Sequence, residues 1–237
     1  MRHVEHVMGF PISVNAPDGA GHGAAIADAF EWLHEVDARF SPFKPDSEVS
    51  RLGRGEHVDP SPDLAHVLAV SDWYREATGG AFAAHRAGVL DPCAVVKGWA
   101  VQRAADLLRA AGVTRFVLNA GGDVATEGGP WRVGVRHPDH PDRFCAVLEV
   151  DGLSVATSAR YERGDHIVDA RTGEPVTSLL SLTVVARSLE VADATATAAF
   201  ALGREGVAWA ASQPGCEVHA VDADRKVHRT PGLPLAP

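Results

Sequence analysis

Apolar side chains recur every three or four positions in several stretches of the chain, which is the spacing of an amphipathic helix. Residues 24–40 show it through Ile26, Phe30, Leu33 and Val36. Other stretches carry boundary residues typical of helices, either serine and proline at the start or glycine just past the end. The pattern predicts five helices. They cover residues 24–40, residues 61–78, residues 96 or 97 to 111, residues 190–202 and residues 204–211.

Elsewhere, and mostly between the third and fourth of these helices, the pattern consists of short apolar runs separated by turn residues, which is typical of strands. Residues 115–119 form one such run, residues 119–123 read as a turn, and residues 4–14 near the start read as one extended segment. Further strands are predicted at residues 131–136, 145–150, 153–157, 166–168, 182–186 and 216–221.

The order of these elements favours an α+β fold, with a mixed or antiparallel sheet and packed helices, because helices and strands do not alternate strictly. Neither an internal repeat nor a long linker divides the chain. We therefore expect one domain over residues 1–237, or two closely packed α/β subdomains.

Composition and charge indicate a globular protein and argue against some kinds of partner. The chain has 237 residues, of which 46% are hydrophobic and 22% charged, and this is sufficient for a globular core. Its formal charge of −9 argues against a nucleic-acid partner or an anionic lipid surface. No apolar run reaches the length of a membrane span, and neither a signal peptide nor a lipobox is recognisable, so we expect a cytoplasmic protein without a membrane anchor.

Several possible sites have weak support from the sequence. The glycine-rich residues 19–24 match a dinucleotide-binding pattern, but the helix that follows does not lead into the second strand that such a unit requires. His137 and His140 lie close together in a proline-containing loop that suits solvent better than metal. The three cysteines are widely scattered, which argues against a disulfide framework or a zinc site. A Gly-x-Ser-x-Gly nucleophile motif is also absent.

Asp193 and Thr197 are the best candidates for metal binding. Residues four apart lie on the same side of a helix, so the carboxylate and the hydroxyl can converge on one ion. Two hard oxygen donors suit Mg²⁺, with water, a carbonyl or a phosphate as further ligands. The alternative is an ordinary polar helix start, in which Asp193 interacts with the helix dipole.

Two further segments could take part in chemistry. Lys97 falls in the first turn of a predicted helix, where free amides and a cation could hold a phosphate, although a solvated lysine is the simpler interpretation. His166 leads a predicted strand and could act as a general base near neutral pH, or could be structural.

Taken together, these segments resemble the ApbE family of flavin transferases, which move FMN from FAD onto a threonine or serine of an acceptor protein. Eight short blocks occur in the family's order between residues 8 and 203. They are residues 8–11, 40–52, 80–82, 91–101, 119–123, 156–158, 166–176 and 192–197.

The resemblance implies an ApbE-like, T-fold-like architecture, FAD as substrate and Mg²⁺ as cofactor. It implies that the metal is held by Asp193, Thr197 and the main-chain oxygen of Ala94. The FAD contacts that it implies are Met8, Phe43, Gly80, Ala81, Phe82, Asp91, Lys97, His166, Ile167 and Val168.

The resemblance further implies a reaction in which an acceptor hydroxyl attacks FAD and AMP leaves. We assign the general base to His166, with Asp169 as its orienting neighbour. The acceptor would carry a motif that ends in Ser/Thr-Gly-Ala-Thr. The sequence departs from the family at Ala83, where an aspartate is usual, so FAD pyrophosphatase activity and flavin binding without turnover remain alternatives.

Overall fold

The computed structural model describes residues 1–18, 21–86, 88–164 and 166–237, and all of its strand pairings are antiparallel. The glycine-rich stretch proposed as a dinucleotide motif falls partly outside the described residues. The strands are β1 (Arg2–Val7), β2 (Phe10–Asn15), β3 (His85–Arg86), β4 (Val89–Leu90), β5 (Phe116–Ala120), β6 (Asp123–Glu127), β7 (Trp131–Arg136), β8 (Phe144–Val150), β9 (Ser154–Ala159), β10 (Val168–Asp169), β11 (Glu174–Pro175), β12 (Leu179–Ala186), β13 (Glu217–Asp222) and β14 (Val227–Arg229).

Seven helices are described, and three of them differ from the sequence prediction. The helix predicted to begin at residue 96 or 97 begins at Cys93, because Pro92 can occupy the position before it. The helices over residues 48–53 and 160–163 were not predicted. The helices are α1 (Gly23–Phe40), α2 (Glu48–Gly53), α3 (Pro62–Ala77), α4 (Cys93–Ala110), α5 (Arg160–Arg163), α6 (Leu189–Ala201) and α7 (Arg204–Ala211).

An eight-stranded sheet forms the centre of the fold, in the order β1-β2-β5-β6-β9-β12-β13-β14. Its two faces are covered differently. On β12, Val184 belongs to the large apolar core with the helices, while the next residue, Val185, belongs to a smaller cluster with Leu148 of β8. Successive strand residues point to opposite faces. Helices α1, α4 and α6 therefore cover one face, and the β7–β8 ribbon covers part of the other. The prediction of an α+β fold is confirmed.

The β7–β8 ribbon has one of its edges covered by the end of the chain. The Glu149 N–H donates to the Pro234 carbonyl at 2.8 Å, and the Ala236 N–H donates to the Val147 carbonyl at 2.8 Å. Leu235 forms an isolated bridge to Leu148. The outer side of β8 is therefore hydrogen-bonded.

The extended segment predicted over residues 4–14 is a hairpin. β1 and β2 pair along their full lengths and are joined by Met8 and Gly9, both of which have positive φ, 56° and 83°. This is the turn geometry that matches the twist of a two-residue hairpin. Of the strand predicted at residues 166–168, only Val168 lies in a strand, β10, which continues to Asp169.

None of the helices in the described part of the chain combines the length and the apolar character needed to cross a bilayer.

Candidate active site

A cavity of about 1140 Å³ opens between the β1–β2 turn, the N-terminal end of α4 and the middle of α6. It is completed by loop residues 41–44 and 81–83 and by the segment that leads into β10. These segments are distant in sequence and meet only in the folded chain. The predicted site residues that line the cavity are Met8, Phe43, Ala81, Phe82, Asp91, Ala94, Lys97, His166, Ile167, Val168, Asp193 and Thr197.

A buried cluster of three charged side chains lies at the wall of this cavity. Lys97 Nζ is 2.5 Å from Asp123 Oδ2 and 3.3 Å from Asp193 Oδ1. Both carboxylates are almost wholly buried. Burial alone would lower the pKa of Lys97, but Asp123 and Asp193 raise it above its ordinary value. Burial, with Asp123 nearby, raises the pKa of Asp193 to about 7 although Lys97 opposes this. The cluster carries a net charge of −1 when both carboxylates are ionised.

Close packing of α4 on α6 brings Lys97 and Asp193 together. Gly98 follows Lys97 on α4, and a Cβ at this position would lie 2.7 Å from both Asp193 Cβ and the Leu189 carbonyl oxygen. Only a residue without a side chain allows this approach. Asp123, at the start of β6, is fixed from the other side, because its Oδ1 accepts the Thr157 N–H at 3.0 Å.

The arrangement around Asp193 fits a hard divalent cation. Asp193 Oδ2 is buried and has no hydrogen-bond partner among the described residues. Thr197 lies one helical turn further along α6, and its hydroxyl is 3.3 Å from Ser158 Oγ. Ala94 lines the same cavity. A carboxylate oxygen without a partner is costly unless a ligand satisfies it, and hard oxygen donors are what Mg²⁺ prefers. Within the described residues, no group of three or more His, Cys, Asp and Glu side chains could hold a metal.

The positively charged end of a helix dipole also faces the cavity. Cys93 and Ala94 in the first turn of α4 line it, as does Lys97 one turn later. Asp91 lies just before this helix, and its Oδ1 accepts the Cys93 N–H at 3.0 Å. A helix N-terminus beside a lysine favours an anionic ligand such as a phosphate.

Apolar groups line other parts of the cavity. Met8 presents its side chain from the left-handed turn between β1 and β2. Phe82 is buried with its ring centroid 5.8 Å from that of Tyr74. Phe43, by contrast, is 89% exposed. The lining thus includes one exposed and one buried aromatic residue, and a planar ring can pack on such side chains.

His166 lines the cavity, whereas Asp169 is directed elsewhere. His166 Nδ1 is 3.1 Å from the Gly164 carbonyl oxygen, which can only accept, so Nδ1 carries the proton and Nε2 of the neutral ring is left as an acceptor. Both oxygens of Asp169 pair with Arg171, the closest contact being 2.7 Å. The turn over residues 169–173 therefore holds Asp169 on Arg171 and does not bring it to His166.

Gly80 also lies outside the cavity lining. It has φ of +89° just past α3, and its N–H donates to the Arg75 carbonyl at 2.8 Å. Its neighbour Ala81 reaches the cavity and is tied to the β10 side of it, because the Ala81 carbonyl accepts the Ala170 N–H at 2.9 Å. Gly80 thus shapes the turn that positions Ala81.

The site contains residues that were not predicted from the sequence. Asp123 is the clearest case, because it shares Lys97 with Asp193. Asp123 belongs to residues 119–123, which form one of the eight blocks shared with the ApbE family, but these residues were interpreted only as a turn. Ser158, Thr157 and Arg136 also line the cavity.

Comparison with known proteins gives one consistent family. A model of the ApbE family matches residues 8–87 and 83–220. A protein of Escherichia coli K12 named FAD:protein FMN transferase is 29% identical over 156 residues, and one of Rhodobacter capsulatus with the same name is 36% identical over 157 residues. These alignments cover 60% and 61% of this chain but only 44% and 30% of the relatives. The chain thus spans less than half the length of these relatives.

Solved structures match over almost the full chain. The ApbE protein of Thermotoga maritima superimposes with a TM-score of 0.85 and 20% identity, and covers 98% of this chain and 97% of its own. The flavin transferase ApbE of Vibrio cholerae gives a TM-score of 0.83 with 21% identity, again covering 98% of this chain and 97% of its own. At this level of identity the similarity establishes the fold.

Proposed function

Because the chain belongs to the ApbE family, we propose that it transfers FMN from FAD to a serine or threonine hydroxyl of an acceptor protein, with a divalent cation such as Mg²⁺. The observation that carries this proposal is the meeting of Lys97, Asp193 and the start of α4 at one cavity wall. An unpaired buried carboxylate oxygen, a lysine and a helix N-terminus form a site for a cation and a pyrophosphate together.

The size and lining of the cavity support FAD as the ligand. Its volume of about 1140 Å³ exceeds the roughly 300–1,000 Å³ of sites that hold drug-sized molecules, as a dinucleotide requires. The buried ring of Phe82 and the side chain of Met8 offer apolar surface for one ring system of FAD. The exposed Phe43 on the loop at residues 41–44 offers surface for the other.

Asp193, Thr197 and the Ala94 carbonyl are the groups that would hold the cation. A bound Mg²⁺ supplies charge neutralisation at the pyrophosphate oxygens, which makes AMP a better leaving group. Asp123 would not be a ligand in this scheme. It keeps the Lys97 ammonium at the cavity wall, where Lys97 can pair with a phosphate oxygen of FAD.

His166 would remove the proton from the attacking hydroxyl. When Nδ1–H donates to the Gly164 carbonyl, Nε2 is the ring nitrogen that can accept a proton. The hydroxyl oxygen forms a bond to the phosphorus of the FMN half, and the bond from that phosphorus to the bridging oxygen breaks. AMP leaves with the bridging oxygen, and the acceptor retains FMN through a phosphoester.

The experiment is to incubate the purified protein with FAD and Mg²⁺, with and without an acceptor protein tagged with a Ser-Gly-Ala-Thr peptide. The mass of the acceptor and the release of AMP are measured together. A mass gain of one FMN supports transfer. AMP with free FMN and no adduct would replace the proposal with a pyrophosphatase, and bound FAD without products would leave a flavin-binding protein.

A further inference from the structure

In the described part of the chain, the outer edge of β7 has no strand paired with it. There β7 pairs with β8 alone, and residues 131–135 take part in no other backbone–backbone hydrogen bond. The opposite edge of the ribbon is covered by the end of the chain, as described above. An open strand edge is a template for pairing with another extended segment.

The hydrogen bonds of β8 show which groups of β7 point outwards. The Val147 carbonyl and the Glu149 N–H both bond to the terminal segment, so they are not bonded to β7. Their partners in the register are Gly134 and Arg132. In an antiparallel pair, two opposite residues that exchange no hydrogen bonds both point their N–H and carbonyl groups away from the partner strand. The N–H and carbonyl groups of Arg132 and Gly134 therefore point away from β8.

A groove of about 330 Å³ lies along this edge. Four consecutive β7 residues, 131–134, line it, and so does Arg136. Successive side chains of a strand point to opposite faces, so a groove lined by consecutive residues runs along the strand edge and not over one face. The far wall includes Gly121 and Gly122, which leave room for the backbone of another chain.

The groove leads into the flavin cavity. Arg136, Asn119, Gly122 and Thr157 line both spaces. Asp123 lies at the inner end of the groove, and its Oδ2 contacts Lys97 of the charged cluster. A segment in the groove would therefore end beside the phosphate site.

We propose that the acceptor protein docks by adding an extended segment to the open edge of β7, which delivers its hydroxyl into the cavity. This inference rests on the proposed transferase function and names how its protein substrate is held. Backbone pairing fixes the position of the segment whatever its side chains are. Phe144, 65% exposed beside the groove, and Arg132 offer side-chain contacts.

Arg132 gives a matched pair of variants for the test. Arg132→Pro removes an outward N–H that the β8 ladder does not use, and proline is tolerated at such edge positions. Arg132→Ala removes the same side chain, with its 3.8 Å ion pair to Glu149, but keeps the N–H. We expect kcat/KM for a 12-residue peptide carrying Ser-Gly-Ala-Thr to be about tenfold lower for Arg132→Pro than for Arg132→Ala. FAD affinity should be equal in both, and equal values of kcat/KM would overturn the proposal.

A second measurement uses the unmodified enzyme and therefore does not depend on how the variants fold. The peptide is N-methylated at one backbone position at a time, and its binding is followed by fluorescence anisotropy and its flavinylation by mass. We expect about tenfold weaker binding at every second position and little change between them, because alternate N–H groups of an added strand face β7.

The two readouts separate the docking mode from the activity. An FMN adduct with no alternation in the N-methyl series would overturn docking at β7 and leave the transferase function intact. Alternating binding without any adduct would support the docking site and contradict the transferase function. A dimer of the enzyme that Arg132→Pro alone dissociates would show that the edge pairs with a second copy, and would also overturn the proposal.

Discussion

The buried carboxylate of Asp193 has the most direct consequence at the scale of single residues. If it holds the cation, Asp193→Ala should lower Mg²⁺-dependent turnover by about two orders of magnitude or more, while FAD affinity changes only a few-fold. Turnover is measured by AMP release at saturating FAD and Mg²⁺. Asp72→Ala, which removes an exposed carboxylate on α3 outside the cavity, is the control. Unchanged turnover in Asp193→Ala would remove the metal assignment.

His166 gives a separate prediction, because its proposed role is in proton transfer and not in binding. His166→Ala should slow the transfer step by roughly 10²- to 10⁴-fold and leave the dissociation constant of FAD nearly unchanged. Single-turnover flavinylation of the acceptor distinguishes the two effects. His140→Ala, in the loop after β7, should behave as the parent does. A transfer rate that His166→Ala does not alter would exclude the general-base role.

Sequence and structure agree on individual residues to different extents. The i, i+4 spacing of Asp193 and Thr197 could be interpreted from the sequence because it depends only on helix geometry. The contact of Lys97 with Asp123 could not, because it depends on how α4 packs against the start of β6. Asp169 was assigned to His166 from its position in the sequence, but the turn places it on Arg171.

At the scale of elements, the α4–α6 contact limits the site. Gly98→Ala adds a methyl group 2.7 Å from the Leu189 carbonyl oxygen and from Asp193 Cβ. The helices must then separate, and we expect a loss of about 1–3 kcal/mol in the free energy of unfolding. The shift also displaces Asp193, so Mg²⁺-dependent turnover should fall as well. Urea unfolding and AMP release measure the two effects.

Gly53→Ala is the matched control for that substitution. Gly53 is the last residue of α2, and an added Cβ would make an ordinary contact of 3.5 Å with Leu90. Since alanine is the better helix former, this variant should be as stable as the parent or slightly more stable. Equal stability of Gly98→Ala and the parent would show that the two helices can separate without cost.

The elements themselves could be predicted where one local signal dominates. Serine and proline at residues 61–62 marked the start of α3 to within one residue. The β1–β2 hairpin was missed because Met8 provides one of its two positive-φ positions, and methionine is not a typical turn residue. The terminal segment and β8 are far apart in the sequence. The spacing of apolar residues therefore could not predict the hydrogen bonds between them.

At the scale of the whole molecule, ion pairs should make stability depend on pH in acid. Asp222 is buried, and the His228 ring and the backbone N–H groups of Asp224 and Lys226 hold its pKa below the ordinary value. A carboxylate with a lowered pKa contributes stability at pH values above its unfolded pKa of about 4, and that contribution is lost as the pH falls through the lowered value. The pKa is also lowered for Glu5, Glu48, Glu56, Asp139 and Asp169.

Asp222→Asn tests this expectation. The variant should be less stable than the parent at pH 7, and the difference in the free energy of unfolding should shrink as the pH is lowered towards 3. Urea unfolding of both proteins at several pH values measures it. A difference that is constant over this range would show that Asp222 contributes by packing and not by charge.

The fold class was predictable for the molecule as a whole, because the order of helices and strands excludes a regular βαβ arrangement. One domain over residues 1–237 stays a prediction. The main sheet links the two apolar clusters, since β9 contributes Ala156 to one and Val155 to the other.

The cavity is lined by residues from Met8 on the first hairpin to Ala201 at the end of α6. During synthesis on the ribosome, the first wall of the site therefore emerges long before the last. A nascent chain that stops before α6 lacks Asp193 and Thr197, and so cannot form the complete cavity. If the cavity binds FAD as proposed, binding must follow translation of at least residue 201. Bound FAD would then stabilise the folded chain against unfolding by mass action.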